Sequence, residues 1–450
     1  MSVITYFPGS IDVYTKDFEW VGRVTNPISI YGAAVFNGLS SFTIEVSATD
    51  PIVSDLVAYG ARVTMIYRDA QLFSGMITNV SGALANNGSI TVTLMSDWRI
   101  LTNTLAWIAP TQALEPTALS VKNVANIAAL GQAHLPGGST TQGTSGSVIG
   151  QVGYYQWSPS VVYAETAIKT LITENLVTRL GRPVTVATDL NRGGDIKTPG
   201  LLPEIRFASL EDVCNRILAL DGLGLKIEQV TRESTITADV YVPAVWDMPL
   251  TVDSGVVAGG SWNVKAPTAT RVVLGGAGEL AARHFVGAND TTGLEAEWGD
   301  LIEVFRDATS ASDIEWPEGL DDSQQVPKYY ELRSDVSAAL KAKYRASLVA
   351  AGQLGLDAGV PLFGVSAMLS ETESFHFGGS DGVQLGDQVT IKSQSGAVYT
   401  DRITQATFAF GNGQFEVTPI VGTRTDDPDK QLAQAIANLA AAQRRISKDR

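Results

Sequence analysis

The feature that most constrains this chain is a repeat. Residues 59–69 read YGARVTMIYRD, residues 385–396 read LGDQVTIKSQSG, and the agreement continues downstream. Gly60, Val63, Thr64, Ile77, Thr78, Ala83 and Asn86 align with Gly386, Val389, Thr390, Ile403, Thr404, Ala409 and Asn412. After a one-residue gap, Gly88, Val92 and Thr93 align with Gly413, Val417 and Thr418. Any two β-rich segments with glycine at their turns share some identities, but here the spacing follows a physical pattern. Each copy has a glycine free to take positive φ, a strand of alternating β-branched residues, a polar turn, a second strand, a Gly/Asn turn and a third strand. The pattern predicts one small meander of defined register used twice, with Gly60 equivalent to Gly386 and Ile77 to Ile403.

A chain of 450 residues exceeds what one core organises and predicts about two to four domains. With 44% hydrophobic and 18% charged residues it can bury a core throughout. Its 47 acidic residues against 32 basic ones give a formal net charge of −15, which repels phosphate and argues against tight nucleic-acid binding. The one dense basic stretch, Arg444, Arg445, Lys448 and Arg450, reads as a helix terminus answering its own dipole. The N-terminal MSVITYFPGSIDVYTKD has neither a basic start nor a long apolar run, and no membrane-length apolar stretch follows, so the expectation is synthesis in the cytoplasm without a transmembrane segment.

The predicted fold class is mainly β with α+β insertions: two similar small β-barrel or meander modules, helical segments and a C-terminal helix. Residues 1–105 read as a first β module, with strands at ITYF, SIDVYT, WVGRVT, FTIEVSA, ARVTMIYR, LFSGMITNVS and SITVTLMS. Residues 106–225 read as an α+β insertion, with a Gly/Ser-rich mobile loop at 131–153, a helix over 163–176 and a second helix begun by a Ser209/Asp212 capping box. Residues 226–365 supply hairpins, an acidic loop and a helix carrying Leu332, Val336, Leu340 and Tyr344 at near four-residue spacing; 366–424 form the second module. The span 425–450 is an Ala-rich helix with Asp427 as N-cap, Pro428 at its first turn, and a short seam of Leu432, Ile436, Leu439 and Ile446.

Residues able to carry chemistry are sparse, and the reading assigns no catalytic, cofactor-binding or metal-binding residue. Cys214, the sole cysteine, falls on an apolar helix face with Leu210, Val213 and Ile217 and is expected to be buried and inert. Gly276, Gly278 and Ala281 spell G-x-G-x-x-A after an apolar strand, but no helix pattern follows, so a Gly-rich hairpin is expected rather than a dinucleotide site. His134, His284 and His376 stand apart from one another; strand alternation would put His376 on the face opposite Glu371 and Glu373. The acidic pairs Glu295/Glu297 and Asp321/Asp322 read as solvated loop charge, and Trp98, Trp107, Trp157 and Trp298 as packing residues rather than sugar platforms.

Taken together, the opening SIDVYTKDFEWVGRVTNP, the DWRIL closing the first module, the LGDQVTI opening the last and the C-terminal helix resemble the tail-tip or baseplate hub proteins (minor tail, tail-associated proteins) of long-tailed bacteriophages, the siphophages. The resemblance covers most of the chain. It implies a structural virion protein: a homotrimer at the distal tail tip whose paired modules adapt a sixfold tube to a threefold end, contacting other tail proteins and lining or closing the DNA channel. DNA would pass without specific binding, and acidic walls would shorten its residence there. Relatives that carry a peptidoglycan hydrolase add it beyond a region like this one; the alternative reading of the chain is a tail protein that binds or hydrolyses cell-wall glycan.

Overall fold

A computed structural model of the chain describes residues 7–82, 88–110, 120–121, 148–149, 155–196, 203–289, 293–309 and 314–422, apart from positions 156, 159, 204, 231, 373, 380, 394–395, 397 and 412–413. The loop at 131–153 apart from its residues 148–149, His134, the repeat positions Ala83, Asn86, Asn412 and Gly413, Glu373, and the helix at 425–450 lie outside these residues.

Seven strands open the chain: β1 (Gly9–Tyr14), β2 (Trp20–Val24), β3 (Ser29–Val35), β4 (Ser41–Ser47), β5 (Arg62–Tyr67), β6 (Ala70–Gly82) and β7 (Ser89–Ser96). After the two-residue ladder of β8 (Ser120–Val121) and β9 (Val148–Ile149) come β10 (Val184–Val186), β11 (Gly224–Gln229), β12 (Ile236–Tyr241) and β13 (Leu250–Thr251). The remaining strands are β14 (Val257–Lys265), β15 (Arg271–Gly275), β16 (Phe285–Asn289), β17 (Glu303–Asp307), β18 (Leu362–Leu369), β19 (Gln388–Lys392), β20 (Val398–Gly411) and β21 (Gln414–Val421). Both copies of the repeat belong to one thirteen-stranded sheet, ordered β14-β18-β21-β20-β3-β4-β7-β6-β5-β1-β2, with β19 on β20 and β13 on β19.

Within this sheet the two meanders match in detail. Val63 faces Gly75 and Thr64 faces Ser74 in the first copy; Val389 faces Asp401 and Thr390 faces Thr400 in the second. Gly60 and Gly386 sit at φ 78° and 88°, a region open to glycine at little cost. Ile77 N donates to Ala61 O and Ile403 N to Asp387 O, both at 2.9 Å, and each copy breaks register at the same place, between Ile77 and Asn79 or between Ile403 and Gln405. The third strand corrects the alignment. Thr93 faces Asn79, whereas Ile420 faces Gln405, so Thr91 and not Thr93 is the counterpart of Thr418. A slip of two residues leaves every side chain on its own face, so Val92 and Val417 are both buried despite the wrong pairing.

The equivalence also runs outward. β4 and β3 follow β7 in one half, β18 and β14 follow β21 in the other. Strand β3 was not among the strands expected from sequence: SIYGAAV has a glycine and two alanines where β-branched residues are normal. Gly32 is required there because a Cβ would lie 2.4 Å from Ser41 O and 2.7 Å from Phe42 Cα.

Two further cores accompany the sheet. One joins Trp98, Leu101, the helix Ala164–Ile172, the helix Leu210–Asp221 and strands β11 and β12. The first of these helices continues as a wider π-turn through Thr173–Arg179, past the expected end. Ser209 does begin the second, but its hydroxyl makes no capping bond, and Gly222 ends it at φ 61°. The third core packs the helix Ala338–Asp357 over β15 and β16 through Leu274, Tyr344 and Leu348. That helix starts later than its apolar spacing implied: Ser337 caps it, accepting from Leu340 N at 3.3 Å, and Leu332 is left 80% exposed in a preceding 3₁₀ turn. Among the described residues no helix is long and apolar enough to cross a membrane.

Candidate functional site

The arrangement with most consequence is the seam where the two halves of the sheet meet. Residues 405–411 of β20 pair antiparallel with all of β3, from Gln405 opposite Val35 to Gly411 opposite Ser29. Phe36 N extends the seam by donating to Thr404 O at 2.9 Å. Beneath it aromatic rings from both halves interlock. Phe42 lies 5.1 Å from Phe73 and 5.7 Å from Phe408, and Phe408 lies 6.0 Å from Tyr67 and 5.7 Å from Phe377. Such edge-to-face and tilted pairs add to a burial that is already worth roughly 1.5–3 kcal/mol for each large apolar side chain. The halves therefore share one core and do not act as beads on a string.

Strand β11 clamps this seam from the side. Arg62 and Asp97, both nearly excluded from solvent, form an ion pair at 2.7 Å. Arg62 Nε also donates to Gln229 Oε1 at 3.0 Å, Ser74 Oγ to Asp97 Oδ2 at 2.6 Å, and Gln229 N to Ser74 Oγ at 2.9 Å. Arg62 Nε and Nη2 and both Asp97 oxygens thus have partners, the condition under which burial of charge is tolerated. On the second half, Asp387 accepts from Ala244 N at 2.9 Å and Gln384 N at 2.8 Å, and Tyr241 Oη donates to Leu385 O at 2.9 Å. Burial holds the Asp387 carboxyl above its usual range despite these donors. Between clamp and seam lies a cleft of about 150 Å³ lined by Phe36, Gln71, Glu228, Tyr241 and Leu385. Burial also raises the pKa of Glu228, whose negative form is opposed there by low dielectric.

The residues weighed for chemistry are dispersed. Cys214 is fully buried, and burial pushes its thiol up to about 12. Gly276 and Gly278 lie in the turn from β15 to the antiparallel β16; a Cβ at Gly278 would meet Ala282 O at 2.8 Å, and only a three-residue 3₁₀ turn stands where a dinucleotide fold places its helix. His284 Nδ1 lies 2.5 Å from Tyr344 Oη.

The region around His376 is a loop beyond the end of β18, so strand alternation does not apply. Glu371 folds back to accept from Phe377 N at 2.9 Å and pairs with Arg68 at 3.3 Å, while His376 Nε2 meets Asp381 Oδ1 at 3.1 Å. The carboxylate beside His376 is thus Asp381, which sequence spacing did not single out. Of the acidic pairs, Glu295 forms an ion pair with Arg271 at 2.6 Å and Asp321 accepts from Ser323 N at 2.9 Å. Trp98 is buried, its Nε1 donating to Glu211 at 2.7 Å, and Trp157 Nε1 donates to Pro203 O at 3.1 Å. Trp107 stacks under Arg179 at 4.5 Å, and Trp298 Nε1 is buried without a bond partner. Among the described residues no three His, Cys, Asp or Glu side chains are grouped to hold a metal ion.

Residues 10–129 and 162–423 match the family described as Siphovirus ReqiPepy6 Gp37-like protein. No curated protein matches the sequence. Among solved structures, the chain is similar to the 43 kDa tail protein of prophage MuSo2 from Shewanella oneidensis, at 9% identity over 92% of this chain and 97% of that one, TM-score 0.46. It is also similar to a tail protein from Neisseria meningitidis MC58, at 11% identity over 93% and 97%, TM-score 0.44. A third likeness is to prophage tail protein gp18 from Listeria monocytogenes EGD-e, at 10% identity over 96% and 99%, TM-score 0.47.

Proposed function

Because the chain belongs to the Siphovirus ReqiPepy6 Gp37-like family, we propose that it is a structural protein of the virion, a trimeric hub at the distal end of the tail that adapts a sixfold tube to a threefold tip and surrounds the DNA channel. The observation that carries this reading is the seam: two equivalent modules follow one another in a single sheet, joined in the same sense, so that three chains would present six such modules around one axis. In this reading residues 1–105 are one ring module and 366–424, completed by β14 and β18 of the same sheet, the other; the rest of 106–225 and 226–365 holds them and forms outer surface, and 425–450 docks a neighbour or gathers three chains. The net charge of −15 suits a wall past which DNA must slide without sticking. Catalysis has no part in the proposal: Cys214 is buried beyond reach of substrate, and both Asp387 oxygens are held by backbone donors.

The test is native mass spectrometry and negative-stain imaging of the full chain, with antibody labelling of phage particles. The expected result is a three-chain particle with a central opening and label at the tail tip. Label on the capsid, or retention and turnover on purified peptidoglycan, would overturn the reading.

A further inference from the structure

Resting on that reading, we propose that neighbouring copies are joined by the same strand-edge pairing that joins the two modules within one chain: residues 79–82 of β6 in one copy lie antiparallel against β14 of the next. The argument starts from the repeat, which spans five strands on each side. Ile77 faces Leu94, Leu94 faces Phe42 and Phe42 faces Gly32; in the other half Ile403 faces Val421, Val421 faces Ala367 and Ala367 faces Gly260. Gly260 is therefore the counterpart of Gly32, Trp262 of Ala34, and β14 of β3. By the same count Asn79 is the counterpart of Gln405, the first residue of β20 to pair with β3.

The counterparts differ in one respect. The β20 and β3 edges are satisfied by each other, whereas on β6 the pairing with β5 stops at Met76 and, among the described residues, no strand lies beyond it along residues 79–82. Among the described residues the outer edge of β14 has no strand either, since β14 pairs there with β18 alone. Edges left open for good are normally blunted by charge or proline. Residues 79–82 are Asn, Val, Ser and Gly, and 259–263 are Gly, Gly, Ser, Trp and Asn; neither stretch holds a charge or a proline. Trp262 is 55% exposed on this edge, though its ring stacks on Tyr399.

Among the described residues each chain thus carries an open edge of each kind, which joins copies head to tail and lets a ring close. The internal seam also dictates the register. Ala406 faces Ala34, Thr407 faces Ala33 and Phe408 faces Gly32. Transferred to two copies, Val80 faces Trp262 of the next copy, Ser81 faces Ser261 and Gly82 faces Gly260.

The register is tested by the Ser81→Cys/Ser261→Cys chain under mild oxidation. Directly opposed antiparallel residues stand about 4.5–5.5 Å apart at Cα, within reach of a disulfide, and the native Cys214 is fully buried. The expected result is conversion of the single-chain band on a denaturing gel to covalent species of two and three chains. The shifted pair Ser81→Cys/Val264→Cys should stay single. A three-chain particle in which the shifted pair links as well as the matched one, or in which neither links, overturns this joint and leaves the trimeric hub standing. A chain that does not associate at all overturns both.

Discussion

Gly60 and Gly386 hold equivalent turns, yet the same substitution should cost different amounts at the two places. Both have positive φ, so alanine at either pays the left-handed penalty of about 1–2 kcal/mol. At Gly60 the atom nearest an added methyl is Cβ of the exposed Lys16, at 3.0 Å. Relief of that one contact asks only a few tenths of an ångström of an exposed turn, and Gly60→Ala should lose little beyond the conformational term. At Gly386 the methyl would lie 2.3 Å from Phe36 Cε2, with two more ring atoms at 2.7 and 2.9 Å. Phe36 is tethered to the seam by its bond to Thr404 O, so relief must come from the ring alone. Overpacking of this kind adds about 1–3 kcal/mol, and Gly386→Ala should lose about 2–5 kcal/mol in all. Urea unfolding of both variants and of the parent chain, compared at constant slope, reads the difference. Equal losses, or a larger loss at Gly60, would refute the claim that the second turn is wedged against the seam.

Three other outcomes follow from the geometry. Arg62→Met should destabilise the chain by about 3–5 kcal/mol, because it strands Asp97 in a dry site, and adding Asp97→Asn should cost less than the sum of the two single changes in a denaturation cycle. Glu228 has a raised folded pKa, so the native state holds its proton more tightly than the unfolded chain and stability falls as pH climbs through that raised value. Glu228→Gln should therefore melt higher than the parent at about pH 8, the gap closing toward about pH 4, in scanning calorimetry. Cys214, with its thiol pushed up to about 12 and no exposure, should resist iodoacetamide in the native chain and react at the rate of unfolding; prompt labelling would show the helix Leu210–Asp221 to be loosely packed.

What was legible in the sequence was whatever local chemistry dictates. Alternating Val and Thr after a positive-φ glycine announced both meanders, and Leu210, Val213, Cys214 and Ile217 announced a buried helix face; all four are buried. Two strands of the sheet were invisible: SIYGAAV and VAGGSWNVK are both poor in β-branched residues, which propensity scores as weakness. At Gly32 the shortage has a reason, since the neighbouring strand approaches too closely there for a side chain. The two-residue slip in the third strand escaped because the side-chain pattern itself has a period of two. The helix predicted from Leu332 failed because four-residue spacing persists by chance across a 3₁₀ turn, whereas the boundary is set by Ser337. The Arg62–Asp97–Gln229 cluster was out of reach, since its members come from three separate parts of the chain.

The pairing of β3 with β20 also sets a timetable for the ribosome. Roughly 370 residues separate Val35 from Gln405, and at about 5–20 residues per second the first strand leaves the exit tunnel some tens of seconds before its partner. During that interval the nascent first half can fold around β4, β5, β6 and β7, but one flank of its sheet has nothing to bind. A strand rich in valine and isoleucine would spend that wait as an adhesive surface for other nascent chains. The Gly-Ala-Ala run at 32–34 makes β3 a poor nucleus for stray pairing, so it is safe to leave open until the distant strand arrives.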